Sequence, residues 1–303
     1  MATQIRSIVG ATDLSAPAHR AVDRAAMLAR EASAALTLVH AVHPTPLDQL
    51  RRWVDSGGDA EQSILEDARV RLNDLARELG ARYEIDVGER IVVGRAVDEI
   101  AGVAESRQAD LVVTGTLGAG MFRNRVIGST AERVLRKSAR PVLMVRQAGQ
   151  GPYRRALVAV DFSAWSSPLL EMVAAIAPHA HIVLTHCIEV PFEGRLRMAG
   201  VDPQVIERYR TTNRLEAAQR MDDLASGAGL LANQWTLLTP SGLPPWMQIV
   251  RQEQEENCDL VVVGKHGQNV VEDLLLGSTT NMVLAEGSCD VLVSTRSDLV
   301  KSG

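Results

Sequence analysis

Residues 110–118 read Asp-Leu-Val-Val-Thr-Gly-Thr-Leu-Gly. The apolar run is short enough for a buried strand, and the glycines after it end the strand. Residues 259–267 repeat the pattern as Asp-Leu-Val-Val-Val-Gly-Lys-His-Gly, 149 positions later (259 − 110 = 149). A short apolar strand that leads into glycines and occurs twice is typical of a buried parallel sheet, and it predicts a duplicated α/β domain.

The repeat extends outward from these two strands through the chain. Asp13-Leu14-Ser15 recurs as Asp161-Phe162-Ser163 (161 − 13 = 148), and Gly128-Ser129-Thr130 recurs as Gly277-Ser278-Thr279 (277 − 128 = 149). The shared order and the nearly constant offset indicate that a whole domain is duplicated, since the period is too long for a solenoid repeat.

Two domains also fit the length of 303 residues, because single domains rarely grow so large. We expect the first domain at residues 1–149 and the second at residues 150–303, with a linker at residues 147–152. Strands and amphipathic helices alternate in each copy, which predicts right-handed crossovers and two tandem open parallel five-stranded sheets flanked by helices. The strands are expected at 5–11, 36–42, 84–93, 111–115 and 141–145, and at 156–160, 182–187, 236–238, 260–264 and 291–294.

The composition excludes several classes of protein. Apolar residues make up 46% and charged residues 23% of the chain, which is the balance of a globular rather than a disordered protein. The net charge of −5 provides no attraction to nucleic acid or to an anionic membrane, and the first residues lack the apolar region of a signal peptide. We interpret the three cysteines, Cys187, Cys258 and Cys289, as reduced core residues of a cytoplasmic protein, because they form no CxxC pair.

The most informative functional motif follows the fourth strand of each copy. It has the pattern G-x-x-G-x9-G-[ST], with the same nine-residue gap in both copies. Converging backbone N–H groups bind phosphate, and glycine lets the chain approach the phosphate closely. The final glycine and serine precede a helix, whose N-terminus favours an anion. The expected phosphate-binding residues are Gly115, Gly118, Gly128, Ser129 and Thr130 in copy one, and Gly264, Gly267, Gly277, Ser278 and Thr279 in copy two.

Structural roles compete for the motif residues. Glycines after a buried strand are often turn residues, and Ser129-x-x-Glu132 has the spacing of a capping box. Asp13 and Asp161 end the first strands, where a carboxylate can accept hydrogen bonds from ribose or adenine or reach a phosphate-bound metal. Each aspartate could instead cap the next helix, although Ser15 and Ser163 compete for that role.

Other side chains suggest no catalytic or metal centre. His40 and His186 end the second strands, and a single strand histidine is usually structural. No second His, Cys or carboxylate stands at metal-ligand spacing, so we expect no dedicated metal site. The chain also lacks the GxSxG, HExxH and GxxxxGK[ST] motifs.

The aspartate after strand one, the glycine pattern and the domain length together resemble the universal stress protein family, and the two copies resemble its tandem bacterial members. The resemblance implies the strand order 3-2-1-4-5. It implies that ATP, with Mg²⁺, is bound by the aspartates and the motif residues named above. It also implies that the residue after the strand-two histidine touches adenine. That residue is Ala41 in copy one and Cys187 in copy two, where valine is more usual in the family.

The family implies an ATP-binding regulatory protein of the stress response that changes its conformation or its protein partner with the nucleotide. A slow ATPase is one alternative, but we identify no dedicated base near either loop. A binding module for another AMP-like or apolar ligand is the other. The family pairs its fifth strands across a dimer, so we expect residues 141–145 and 291–294 to pair within this chain as an intramolecular pseudo-dimer, with a homodimer as the alternative.

The two predicted phosphate loops differ in charge. The nine-residue gap contains Arg123 and Arg125 in copy one, but Glu272 and Asp273 in copy two. Since ATP brings several negative charges to this loop, we expect copy one to bind ATP more tightly.

Overall fold

The computed structural model describes residues 4–43, 57–116, 127–265 and 276–295. Contacts divide the chain into two compact units. The first consists of Met1–Pro152 and Asp290–Ser297, and the second of Tyr153–Cys289 and Asp298–Gly303. The first unit therefore takes one strand from near the C-terminal end of the chain.

The first unit alternates strands with helices, as the repeat predicts. Among the described residues, its elements are β1 (Ser7–Ala11), α1 (Ala16–Ala32), β2 (Ala35–Val42), α2 (Gly57–Tyr83), β3 (Val87–Val93), α3 (Ala96–Ser106), β4 (Leu111–Gly115), α4 (Ser129–Lys137), β5 (Val142–Val145) and β10 (Asp290–Ser294).

The sheet of the first unit has the order β3-β2-β1-β4-β5, and these five strands are parallel. The predicted order 3-2-1-4-5 is confirmed. Ile8 of β1 lies opposite Leu36 of β2 and Leu111 of β4, and all three side chains are buried. Because β1 has neighbours that continue in opposite directions, the carboxyl ends of β1 and β4 form a topological switch point, where ligands of α/β sheets bind.

Strand β10 joins this sheet in antiparallel orientation. Leu292 lies opposite Leu143, and Val293 lies opposite Val142, so the predicted pairing of the two fifth strands is confirmed. All residues of β5 and β10 are buried, as expected where an otherwise open edge strand is covered.

The second unit has a four-stranded parallel sheet in the order β8-β7-β6-β9, with flanking helices. This is the same order, 3-2-1-4, in the numbering of the second copy. Among the described residues, its elements are β6 (Arg155–Ala159), α5 (Ser166–Ile176), β7 (His181–Thr185), α6 (Glu193–Met198), α7 (Pro203–Gly227), β8 (Trp235–Leu238), α8 (Pro245–Glu255), β9 (Leu260–Gly264) and α9 (Ser278–Glu286).

Several element boundaries differ from the sequence prediction by a few residues. Helix α1 stops before Ser33, and β3 starts after Glu84, because both residues adopt left-handed backbone angles (φ 51° and 55°) that end regular structure. His40 lies inside β2, whereas His186 lies just beyond β7. In the part of the chain that the structure describes, no helix is long and apolar enough to cross a membrane.

Candidate functional site

The carboxyl ends of the strands gather the predicted site residues at one edge of each sheet. In the first unit, Asp13 follows β1, Ala41 lies near the end of β2, and Gly115 ends β4. Parallel strands end at the same edge, and β1 lies between β2 and β4. In the second unit, Asp161 follows β6 and Gly264 ends the neighbouring β9.

The loop after β1 holds Asp13 through a serine. The Asp13 carboxylate accepts hydrogen bonds from the Ser15 backbone N–H (3.0 Å) and from the Ser15 hydroxyl. The Ser15 oxygen in turn accepts from the Ala18 N–H (3.4 Å) and caps α1. The cap role therefore belongs to Ser15, which leaves Asp13 at the surface near the sheet edge.

The second unit repeats the contact between aspartate and serine but not the cap. Asp161 accepts from the Ser163 N–H (2.9 Å) and from the Ser163 hydroxyl (2.6 Å). The N-cap of α5 is Trp165, without a side-chain cap hydrogen bond. Ser163, which competed with Asp161 for the cap role, therefore does not cap this helix, because the chain makes a further turn before α5 begins.

Glycines stand at the N-caps of α4 and α9. Gly128 and Gly277 have no side chain that could cap the helix, and the exposed Ser129 and Ser278 are the first helical residues. The capping-box explanation for Ser129 is therefore wrong. The φ angles of −62° and −56° are accessible to any residue, so the backbone conformation does not require glycine. What glycine provides is the absence of a side chain beside the unpaired N–H groups of the first turn.

A backbone hydrogen bond joins each strand exit to the following helix. The Gly128 N–H donates to the Thr116 carbonyl (2.7 Å), and the Gly277 N–H donates to the Lys265 carbonyl (2.9 Å). The glycine pattern thus closes in the same way in both units. Gly118 and Gly267, and the charged residues of the nine-residue gaps, lie outside the described residues.

Thr280 is a site-supporting residue that the sequence analysis missed. Its hydroxyl donates to the Gly264 carbonyl (2.7 Å) and ties α9 to the end of β9. The equivalent position in the first unit is Ala131 (280 − 131 = 149), which has no hydroxyl. The adjacent Thr130 is exposed and Thr279 half-buried. The only available signal was a second threonine after the motif.

The two histidines join strand two to the end of strand one. Nδ1 of His40 lies 2.9 Å from the Thr12 carbonyl oxygen, and Nδ1 of His186 lies 2.8 Å from the Val160 carbonyl oxygen. A carbonyl can only accept, so Nδ1 is the donor in each ring. These hydrogen bonds tie strand two to strand one, which is the structural role expected of the two histidines.

The position after the histidine differs between the copies. Ala41 is half-buried and offers a small apolar surface. The Cys187 thiol donates to the Pro245 carbonyl (3.7 Å), and burial raises its pKa to about 12, with a further increase from Glu189. Cys187 is therefore a neutral, half-buried thiol, whereas Cys258 and Cys289 are buried.

Among the described residues, neither a metal-binding cluster nor the cleft found in the first unit lies at the strand ends. Across the described ranges, no group of three or more His, Cys, Asp or Glu residues could hold a metal ion. A cleft of about 660 Å³ lies between α2 and the middle of β3, where Arg69, Asn73 and Glu89 contribute to its lining. That cleft is away from the strand ends, where Asp13 and the N-terminus of α4 lie.

Comparisons with known proteins agree with the duplicated fold. The model of the Universal stress protein family matches residues 4–146 and residues 152–295. Universal stress protein Rv1636 of Mycobacterium tuberculosis is 33% identical over 147 residues, covering 46% of this chain and 95% of that protein. Universal stress protein Rv2005c of the same organism is 23% identical over 285 residues, covering 86% and 88%. The crystal structure of a universal stress protein from Archaeoglobus fulgidus covers 97% of this chain and 98% of its own, at a TM-score of 0.67 and 21% identity.

Proposed function

Because the chain belongs to the universal stress protein family, we propose that it is an ATP-binding regulatory protein of the stress response with one nucleotide site in each half. The observation that carries this proposal is that α4 and α9 both begin at a glycine N-cap, which has no side chain to accept from the first-turn N–H groups. Unpaired N–H groups at a helix N-terminus bind anions. Because the arrangement occurs in both halves, it favours a phosphate ligand over a local turn.

Each residue type has a distinct role in the proposed site. The glycines and the first helical serine would bind the phosphates, the aspartate after the first strand would bind the ribose, and the residue after the strand-two histidine would contact adenine. In the first half these residues are Asp13, Ala41, Gly115, Gly118, Gly128, Ser129 and Thr130. In the second half they are Asp161, Cys187, Gly264, Gly267, Gly277, Ser278 and Thr279.

Mg²⁺ would reach the site on the phosphate oxygens and reduce their charge. The described residues fit this arrangement and not a protein-built metal cage, because they contain no metal-binding cluster. Oδ1 of each site aspartate accepts two hydrogen bonds from its serine, which fixes the orientation of the carboxylate. We propose that the bound nucleotide acts by changing conformation or protein partner rather than by efficient hydrolysis.

Substitution of the N-cap glycine separates a ligand role from a structural role. Gly128→Asp supplies α4 with an N-cap, so we expect the free energy of unfolding to rise by roughly 0.5 kcal/mol. The added carboxylate should repel phosphate and weaken ATP binding at that site by at least about tenfold. Gly277→Asp should do the same in the second half. Equilibrium dialysis with labelled ATP and urea denaturation measure the two effects.

Wild-type protein should bind more than one ATP per chain, each single variant should have one site weakened by at least about tenfold, and the double variant should have both sites weakened. Gly102→Asp is the matched control, because Gly102 lies in α3 with open space where a Cβ would be added. This variant should bind ATP as the wild type does. Undetectable binding to wild-type protein at millimolar ATP with Mg²⁺, or undiminished binding to the double variant, would refute the proposal.

A further inference from the structure

We infer that Arg71 and Arg220 are positioning residues for the two proposed nucleotide sites, each holding in place the residue that follows the site aspartate. The two arginines occupy the same position of the repeat (220 − 71 = 149), on the long helices α2 and α7. The part of this inference that concerns binding rests on the proposed function.

In the first unit, the contact is a hydrogen bond across 57 positions of the chain. The Arg71 guanidinium donates to the Leu14 carbonyl at 3.2 Å. Leu14 lies between Asp13 and Ser15 and has a left-handed backbone with φ of 59°. A residue with a branched side chain adopts this backbone conformation only where surrounding contacts stabilise it. The Arg71 hydrogen bond is one of those contacts, together with the bond from the Leu14 N–H to the Thr12 hydroxyl (3.0 Å).

In the second unit, the equivalent contact is a stack. Phe162 replaces Leu14 and has a φ of 60°. The Arg220 guanidinium carbon lies 4.0 Å from the centre of the Phe162 ring, and the His186 ring centre lies 4.4 Å from it. The cation–π contact thus acts on the side chain of the left-handed residue instead of on its carbonyl.

A hydrogen bond in the first unit and a stack in the second contact the same position of the loop after strand one. This agreement supports a shared role of the two arginines in holding that loop. A rotation at residue 14 or 162 would turn the neighbouring aspartate and break its bonds to the serine. The Arg71 side chain is 55% exposed, and its Nη1 lies 3.7 Å from Oδ2 of Asp67. Salt would therefore weaken a direct effect of the Arg71 charge on ATP. Salt would not abolish an effect that Arg71 exerts by holding the loop in place.

Hydrogen exchange on the ligand-free protein tests the loop contact without any nucleotide. Arg71→Met should raise amide exchange several-fold in residues 13–18, and Arg220→Met should do so in residues 161–166. The other half serves as an internal reference in each case. Arg77→Met and Arg208→Met are controls, because both residues are exposed on the same two helices. Unchanged exchange in both loops would overturn the inference, whether or not the chain binds ATP.

Nucleotide titration tests the consequence for binding. In the Gly277→Asp background, Arg71→Met should weaken ATP binding by about fivefold, the effect of one ordinary hydrogen bond, and high salt should not abolish the loss. Arg71→Lys keeps a donor and should recover part of it. In the Gly128→Asp background, Arg220→Met should weaken ATP binding. The same substitution should have a smaller effect when Phe162→Leu is also present, because that change already removes the stack of Arg220 on Phe162.

The outcomes separate the two proposals. If wild-type protein binds no ATP, the proposed function fails, and the exchange measurements still decide whether the arginines hold the loops. If exchange rises but ATP affinity is unchanged, the arginines stabilise the loops without positioning a binding residue, and the inference is wrong.

Discussion

At the scale of single residues, the two histidines show how one position acquires different chemistry in two copies. His40 and His186 make the same hydrogen bond to a strand-one carbonyl. His186 also lies against Phe162, and the groups that act on its charge are Arg220, Asp161 and Glu189. Burial lowers the pKa of His186 from its ordinary 6.5 and the charge of Arg220 lowers it further, against the opposing effect of the Val160 carbonyl.

This lowered pKa predicts a pH-dependent stability. The unfolded chain protonates His186 near its ordinary pKa of 6.5, whereas the folded chain protonates it only at a lower pH. The contribution of the neutral His186 to the free energy of unfolding is therefore fully present above pH 6.5 and is lost as the pH falls below that value. Urea unfolding between about pH 5 and pH 8 should show this loss, and His186→Gln should show a smaller loss. His179→Gln, at an exposed position, should behave as the wild type. An identical pH dependence in His186→Gln would contradict the prediction.

At the scale of elements, a buried ion pair accompanies the attachment of β10 to the first unit. Nε of Arg24 in α1 lies 3.5 Å from the Asp290 carboxylate, and the side chains are 7% and 2% exposed. The same carboxylate accepts from the Arg146 N–H (2.8 Å), and Arg24 also donates to the Gly151 carbonyl (2.7 Å). The first residue of β10 is therefore held by groups from α1 and from the chain after β5.

Loss of one partner of this pair should be costly because it leaves a buried charge. We expect Arg24→Met to lower the free energy of unfolding by about 3–5 kcal/mol, as measured by urea denaturation. Arg24→Met combined with Asp290→Asn should recover part of the loss. The exposed pair Arg69–Glu66 is the control, and Arg69→Met should cost at most about 1 kcal/mol. Equal losses for Arg24→Met and Arg69→Met would show that the buried pair does not secure β10.

At the scale of the whole molecule, the chain carries two copies of one proposed nucleotide site, which are alike in backbone and different in side chains. The glycine N-caps, the aspartate–serine contacts and the histidine bonds are shared. Leu14 is replaced by Phe162, Ala41 by Cys187 and Ala131 by Thr280. If both copies bind ATP, as proposed, we expect these differences to change its affinity.

We therefore predict two unequal ATP affinities in one chain. Gly277→Asp retains the first site, whose loop carries Arg123 and Arg125, and Gly128→Asp retains the second, whose loop carries Glu272 and Asp273. A charge pair near the surface contributes roughly 1–4 kcal/mol and less with salt, so the first site should bind ATP several-fold more tightly, and the difference should shrink at high salt. Calorimetric titration of both variants measures this. Equal affinities at low salt would disprove the charge argument.

The sequence by itself determined the duplication, the α/β class and the identity of the strand ends. Patterns in the sequence encode these features. They are apolar runs of strand length, glycines at a fixed spacing, and a nearly constant offset between the copies. The same local patterns could not distinguish Ser129 as a cap from Ser129 as the first helical residue, nor place the start of β3 after Glu84. Those outcomes depend on backbone angles, which residue type alone constrains weakly.

The tertiary structure alone decided which distant groups meet. The Arg24–Asp290 pair in the first unit, the bond from Arg71 to Leu14 and the stack of Arg220 on Phe162 join residues that lie far apart along the chain. A contact of this kind produces no periodic pattern in the sequence. An arginine on a helix face has the same sequence signature whether its side chain is solvated or contacts another residue. The partner of each arginine is determined by the packing of the helices on the sheet and by the pairing of β10 with β5.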